Sequence, residues 1–188
     1  MIERLKMLNR SSKTAFAAAC AQRLSPLYGR YYADGAPTET ENLAGILKCV
    51  WEAAEGNDLT LDGLADVAES LMPIDDERHS DPAYAQCAAA CVAYATSVWQ
   101  SGDPVDAELA ARQVYDAADF AAWTLFPIEG AVPSGTDKFI ERQQVVQVAL
   151  QGIESDLSAV EGASGSDGWD ELRLRASSEG EVWCRTLP

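Results

Sequence analysis

The chain has 188 residues, 47% of them apolar, which suffices for one domain with a substantial core and is tight for two. Fourteen basic residues against 30 acidic ones give a formal net charge of −16, a balance that repels nucleic-acid phosphates and argues against direct DNA or RNA binding. No run of about 18 uncharged apolar residues occurs, so no membrane span is expected.

The opening "MIERLKMLNR" is basic but runs into Ser-Ser-Lys and an alanine-rich pattern, without the leucine-rich segment and cleavage site of a secretory signal. A cytoplasmic location is expected. Ser11 or Ser12 is expected to cap a first helix to about Leu24, with Phe16, Cys20 and Leu24 four apart on one stripe. Pro26 lacks an amide hydrogen and predicts a bend, stop or restart there. "DGAP" at 34–37 reads as a turn, and Thr38 with Glu41 as a capping box for a helix carrying Leu43, Ile46, Leu47, Val50 and Trp51, stopped near Gly56.

"NDLTLDGLADVAESLMP" predicts a shorter helix ending before Pro73, and "IDDERHSD" a polar loop. Asp81-Pro82 and Asp103-Pro104 each offer a cap followed by proline at the first helical position. The first introduces a helix with Tyr84, Cys87, Cys91, Val98 and Trp99 on one face, closed by Gly102. The second introduces another through Ala107, Ala111, Val114, Ala118 and Leu125. After the breaker "FPIEGAVPSG", a single long helix is expected from Thr136, with Phe139, Gln143, Val146, Leu150, Ile153, Leu157 and Val160 as its seam. "EGASGSDG" at 161–168 reads as a linker, followed by a short helix around "WDELRLRA" and a tail without a clear pattern. The sum is an all-α, single-domain bundle of five to seven helices over 1–162, with 163–188 as linker plus short helix or tail packed on the same domain. Alanine-rich helices imply close helix approach, and an alanine-rich face leaves a homodimer open.

"TAFAAACAQRLSPLYGRYY" followed by "LAGILKCVWEAAEG" resembles the start of the YjaG-like bacterial family of unknown function, at Phe16, Cys20, Arg23, Leu24, Pro26, Tyr28, Trp51 and Glu52. The later helices are similar only in alanine content and length, and "SEGEVWCRTLP" keeps Glu179-Gly180 before departing from the pattern of the family's ends. The resemblance implies an all-α bundle and carries over no activity, cofactor or catalytic residue.

Arg23, Tyr28, Arg30, Tyr31 and Tyr32 cluster around Pro26. A guanidinium fork and phenols suit an anionic group. The same residues suit a helix junction, with rings buried and Arg23 paired to Glu52. Asp75, Asp76, Glu77, His79 and Asp81 offer oxygen ligands without the spacing of a calcium loop, so a solvated polar loop is expected rather than a metal site. Glu52 and Glu55 form a carboxylate pair with no partner base in view. The five cysteines sit mostly among apolar residues and read as reduced packing thiols. No hydrolase, zincin, Walker or dinucleotide motif appears, so no enzyme activity and no cofactor are expected.

Residues 1–34 carry a net charge of +4 and the remainder −20. That asymmetry points to a non-enzymatic interaction protein with a basic protein partner, in its sharpest form an immunity or antitoxin-like inhibitor of a nuclease-type toxin. The alternative is a housekeeping protein holding a small ligand in an interhelical pocket lined by Trp51, Tyr84, Trp99 and Trp123.

Overall fold

The computed structural model describes residues 1–33, 37–74, 82–126, 136–163 and 169–188. Among them are nine helices and no strand: α1 Ile2–Met7, α2 Arg10–Tyr31, α3 Pro37–Ala54, α4 Leu64–Ser70, α5 Ala83–Ser101, α6 Pro104–Leu125, α7 Thr136–Glu141, α8 Gln144–Gly162 and α9 Trp169–Thr186. The all-α expectation holds; the expected five to seven helices are too few.

The centre of the fold is α2. Fourteen of its 22 residues are buried, and they point in every direction around the axis rather than along one stripe. A helix apolar on all sides belongs inside a bundle. It touches α3, α5, α6, α8 and α9, while α5 also packs on α6. Alanine makes this possible. Ala15, Ala18, Ala19, Ala88, Ala89 and Ala118 are among the fully enclosed residues, and side chains this short let helix backbones approach closely. The alanine-rich faces are therefore largely buried inside the bundle.

Several boundaries differ from the sequence expectation, each for a local reason. The cap of α2 is Asn9, whose Oδ1 accepts the Ser12 amide at 2.8 Å, so Ser11 and Ser12 lie within the first turn. At Pro26 α2 does not stop or restart; it continues to Tyr31. An interior proline costs about 3 kcal/mol, and here burial of Leu27 and Tyr28 just beyond it offsets that cost. Pro37 opens α3, which places Thr38 inside the helix instead of at its cap. Gly56, with φ of +94°, turns the chain after α3, as expected of glycine there.

Asp103 caps α6 as predicted, its Oδ1 accepting the Val105 amide at 2.9 Å. Gly102 closes α5 with φ of +68°. Asp81, most of "DGAP", "IDDERHSD" and "FPIEGAVPSG", and residues 164–168 lie outside the described residues.

The predicted long C-terminal helix is two. Gln143 adopts an extended conformation between α7 and α8. Its Nε2 donates to the Phe139 carbonyl at 2.9 Å, and Gln147 Nε2 donates to the Glu141 carbonyl at 2.7 Å. These side chains serve carbonyls that a continuous helix would have bonded itself. Phe139 and Leu150 are exposed, whereas Val146, Ala149, Ile153, Leu157 and Val160 form the buried stripe. The tail is not short either. α9 has 18 residues, buries Trp169, Leu172, Ala176, Gly180 and Trp183, and lies along α2.

Candidate functional site

Two features concentrate polar chemistry: a buried ion network at the centre, and a run of exposed carboxylates on the outside. Arg23 lies on the fully enclosed face of α2, 1% exposed. Its Nη1 is 2.8 Å from Asp156 Oδ2 of α8, an ionic contact without hydrogen-bond alignment. Its Nη2 and Nε lie 2.7 and 2.8 Å from Glu179 Oε2 of α9. Arg175 of α9 closes the network with Nη2 2.7 Å from Asp156 Oδ1. Asp156 is completely buried; Glu179 and Arg175 reach solvent. Burial works against the Arg23 charge, but Asp156 and then Glu179 outweigh it and hold the guanidinium protonated.

Two glycines make room for this network. A Cβ on Gly152 would meet Glu179 Oε2 at 3.2 Å and Arg23 Cζ at 3.3 Å. One on Gly180 would meet the Arg23 carbonyl oxygen at 2.5 Å, an impossible approach to rigid backbone. The network joins three helices and has the character of a lock rather than an open anion pocket. Arg23 thus pairs with Asp156 and Glu179 rather than with Glu52, the partner that the helix-junction alternative offered; Glu52 lies 3.6 Å from Lys48.

The other residues of the Pro26 cluster diverge. Tyr28 is buried and donates its hydroxyl to the Leu71 carbonyl at 2.8 Å; burial first, then Tyr32, raises its pKa. Tyr31 is half-buried, edge-on to Tyr32 with ring centroids 4.9 Å apart. Arg30 donates to the carbonyls of Cys184 (3.1 Å), Leu187 (2.8 Å) and Pro188 (3.1 Å), where a cation meets the negative end of α9, and it lies over the Tyr84 ring. Asp75, Asp76, Glu77 and His79 lie outside the described residues.

Of the aromatic residues expected to line a pocket, Trp51, Tyr84 and Trp99 each have a different neighbour. Trp51 is fully buried, donates to Gln22 Oε1 at 3.1 Å and lies beneath Arg173. Tyr84 meets Phe120 edge-on at 5.1 Å. Trp99 lies beneath Arg10.

The cysteines behave as packing groups. Burial raises the thiol pKa of Cys20 and Cys91 well above its usual range and pushes Cys87 up to about 12, which leaves all three protonated and weakly nucleophilic. Among the described residues, no three His, Cys, Asp or Glu side chains are grouped to hold a metal ion.

The exposed feature follows from where the cations go. All six basic residues of the first 34 are engaged. Arg4 bonds Glu154 and Glu161 of α8, Lys6 bonds Glu3, and Arg10 covers Trp99. Lys13 donates to the Gly102 carbonyl at the end of α5, and Arg23 and Arg30 serve α8 and α9. Apart from Lys6, these cations reach across to other helices of the bundle. Meanwhile Glu55, Asp58, Asp62, Asp66 and Glu69, on the α3–α4 connection and α4, are all exposed, with no Lys or Arg between them.

The sequence reading missed Asp156, Arg175 and Gly152, and noted Glu179-Gly180 only as part of the family resemblance. Their signal was present: a carboxylate three residues from Ile153 within an apolar stripe, and isolated glycines inside helical patterns.

No protein-family profile matches the chain, and no curated protein sequence does. Among solved structures, the chain is similar to a DUF416 family protein from Shewanella baltica, with a TM-score of 0.80 and 17% identity over 95% of this chain and 93% of that one. At that identity the likeness extends to the fold.

Proposed function

We propose that the chain is a non-catalytic helical interaction protein that binds a cationic protein through the acidic surface of the α3–α4 connection and α4. In its specific form it is an immunity or antitoxin-like inhibitor that covers a basic, nuclease-type toxin. The observation that carries this reading is the exposed series Glu55, Asp58, Asp62, Asp66 and Glu69, uninterrupted by a basic residue. Clustered like charge on a surface costs self-repulsion and is repaid when an opposite field arrives, which also accelerates encounter.

The test is titration of the chain against the cationic protein encoded beside its gene, by calorimetry at about 50 mM and about 200 mM salt. A complex is expected at low salt that weakens as salt rises. The triple variant Asp58→Lys, Asp62→Lys, Asp66→Lys should lower affinity by at least about tenfold, mainly through the association rate. Absence of a complex at low salt overturns the immunity reading; a complex indifferent to the triple variant overturns the assigned surface.

A further inference from the structure

α1 is held to the bundle in the way a bound peptide would be. It is six residues long, and no side chain caps its start. A helix so short does not persist alone in water. Leu8 and Asn9 are both extended, so α1 and α2 are separate helices with a two-residue joint between them. α2 has its own cap in Asn9 and begins independently of α1.

Two adjacent side chains seat α1. It packs on α6, and Leu5, its one buried residue, is fully enclosed. The Arg4 guanidinium lies on a stripe of α8 formed by Glu154, Ser158 and Glu161, at helical spacings of four and three. Its Nη1 donates to both carboxylate oxygens of Glu154, at 2.7 and 2.8 Å. Its Nε and Nη2 make a fork with the two oxygens of Glu161, each at 2.8 Å, and Nη2 reaches Ser158 Oγ at 3.3 Å. Planar, two-sided matching of this kind selects arginine over lysine.

The hold is of a kind that releases. The side chains of Arg4, Glu154 and Glu161 are 37%, 61% and 35% exposed, and ion pairs open to water are weak and screened by salt. When α1 leaves, the α8 stripe presents two unneutralised carboxylates beside the vacated seat of Leu5, on a chain whose net charge of −16 attracts cations. We propose that this seat on α6 and α8 is a docking site for a short basic helix of a partner protein carrying an adjacent Arg-Leu pair. α1 is its occupant within the chain, displaced when the partner binds. The site lies on elements other than α3 and α4 and does not depend on the function proposed above.

The probe is a synthetic peptide of residues 1–9, followed by NMR shifts of the full chain at about 1 mM peptide, because a tethered segment competes at millimolar effective concentration. In the full chain carrying Arg4→Glu and Leu5→Glu, α1 should undock and the peptide should shift amides within 154–161. The wild-type chain should respond at least about tenfold more weakly, since its own α1 holds the seat. Adding Glu154→Lys and Glu161→Lys to the released chain should abolish the response. Hydrogen exchange of the wild-type chain needs no variant: amides of 5–8 should exchange faster than those of α2, and faster still at about 500 mM than at about 50 mM salt. A released chain that ignores the peptide overturns the proposal, as does a response that survives the two lysine substitutions. So does a wild-type response as strong as that of the released chain, or protection of α1 equal to that of α2 at both salts.

Discussion

Replacing Arg23 by Met keeps most of the volume inside the bundle and removes the charge that Asp156 and Glu179 surround. Asp156 then retains Arg175 alone, in a site without water access of its own. Breaking a buried pair from one side costs about 3–5 kcal/mol, which for a chain this size lowers the melting temperature by roughly 10 °C. The double variant Arg23→Met, Asp156→Leu should recover much of that loss, because neither charge is then stranded. Thermal unfolding of the two variants decides it. If the double variant melts no higher than the single one, the network is not organised around the Arg23–Asp156 pair. Arg23 stood out in the sequence as an arginine beside apolar residues, yet its partners lay far along the chain, where spacing says nothing about proximity. Glu52 was close in the helical pattern and was the natural candidate; only packing places Asp156 and Glu179 on the enclosed side of α2. A second residue-scale prediction concerns Glu161. Hydrogen bonds from Arg4 hold its carboxyl below the usual carboxylate range. A lowered folded-state value contributes stability above the unfolded pKa and loses it as pH falls through the folded one. Melts between about pH 3 and pH 6 should therefore lose an acid-side increment in Arg4→Ala that the wild type shows.

At the scale of elements, α9 depends on close approach. Gly180→Ala brings a methyl group against the Arg23 carbonyl oxygen, which belongs to the backbone of the central helix and cannot swing aside. The strain should cost about 2 kcal/mol or more and act first on α9, since the rest of the bundle has its own contacts. Gly152→Ala, facing only side-chain atoms, should cost less. Exchange rates of α9 amides in the two variants measure the difference; equal rates would remove Gly180 as the critical contact. The helices themselves were largely legible. Asp103-Pro104 and Gly102 marked their ends through local chemistry that needs no tertiary partner. The α7–α8 break was hidden because Phe139 and Gln143 fit the same apolar period as the true stripe beginning at Val146. α9 was shortened in the reading because its polar outer face and Gly180 weaken any propensity argument, whereas its stability comes from lying on α2.

For the whole molecule, the distribution of charge governs behaviour. Cations fasten the bundle, and the carboxylates of 55–69 are left facing water. The fold therefore works against its own field. Raising salt from about 10 mM to about 200 mM should increase the melting temperature by screening self-repulsion, despite weakening exposed pairs such as Arg4 with Glu154. A melting temperature that falls with salt would mean that those pairs outweigh the net charge. The acidic balance was visible in composition alone, but its arrangement was not: the +4 of the first 34 residues suggested a basic end, and the fold engages those side chains with the chain's own carboxylates, carbonyls and rings.

The order in which the chain is made gives the central lock a temporal side. Glu179 follows Arg23 by 156 residues, so the innermost helix leaves the ribosome long before the segment that completes its charge balance. Until then, Arg23 has Asp156 of α8 but not Glu179, and Asp156 lacks Arg175. A chain cut short before α9 would leave Arg23 with Asp156 alone and Asp156 without Arg175, and should be cleaved faster than the full chain in limited proteolysis.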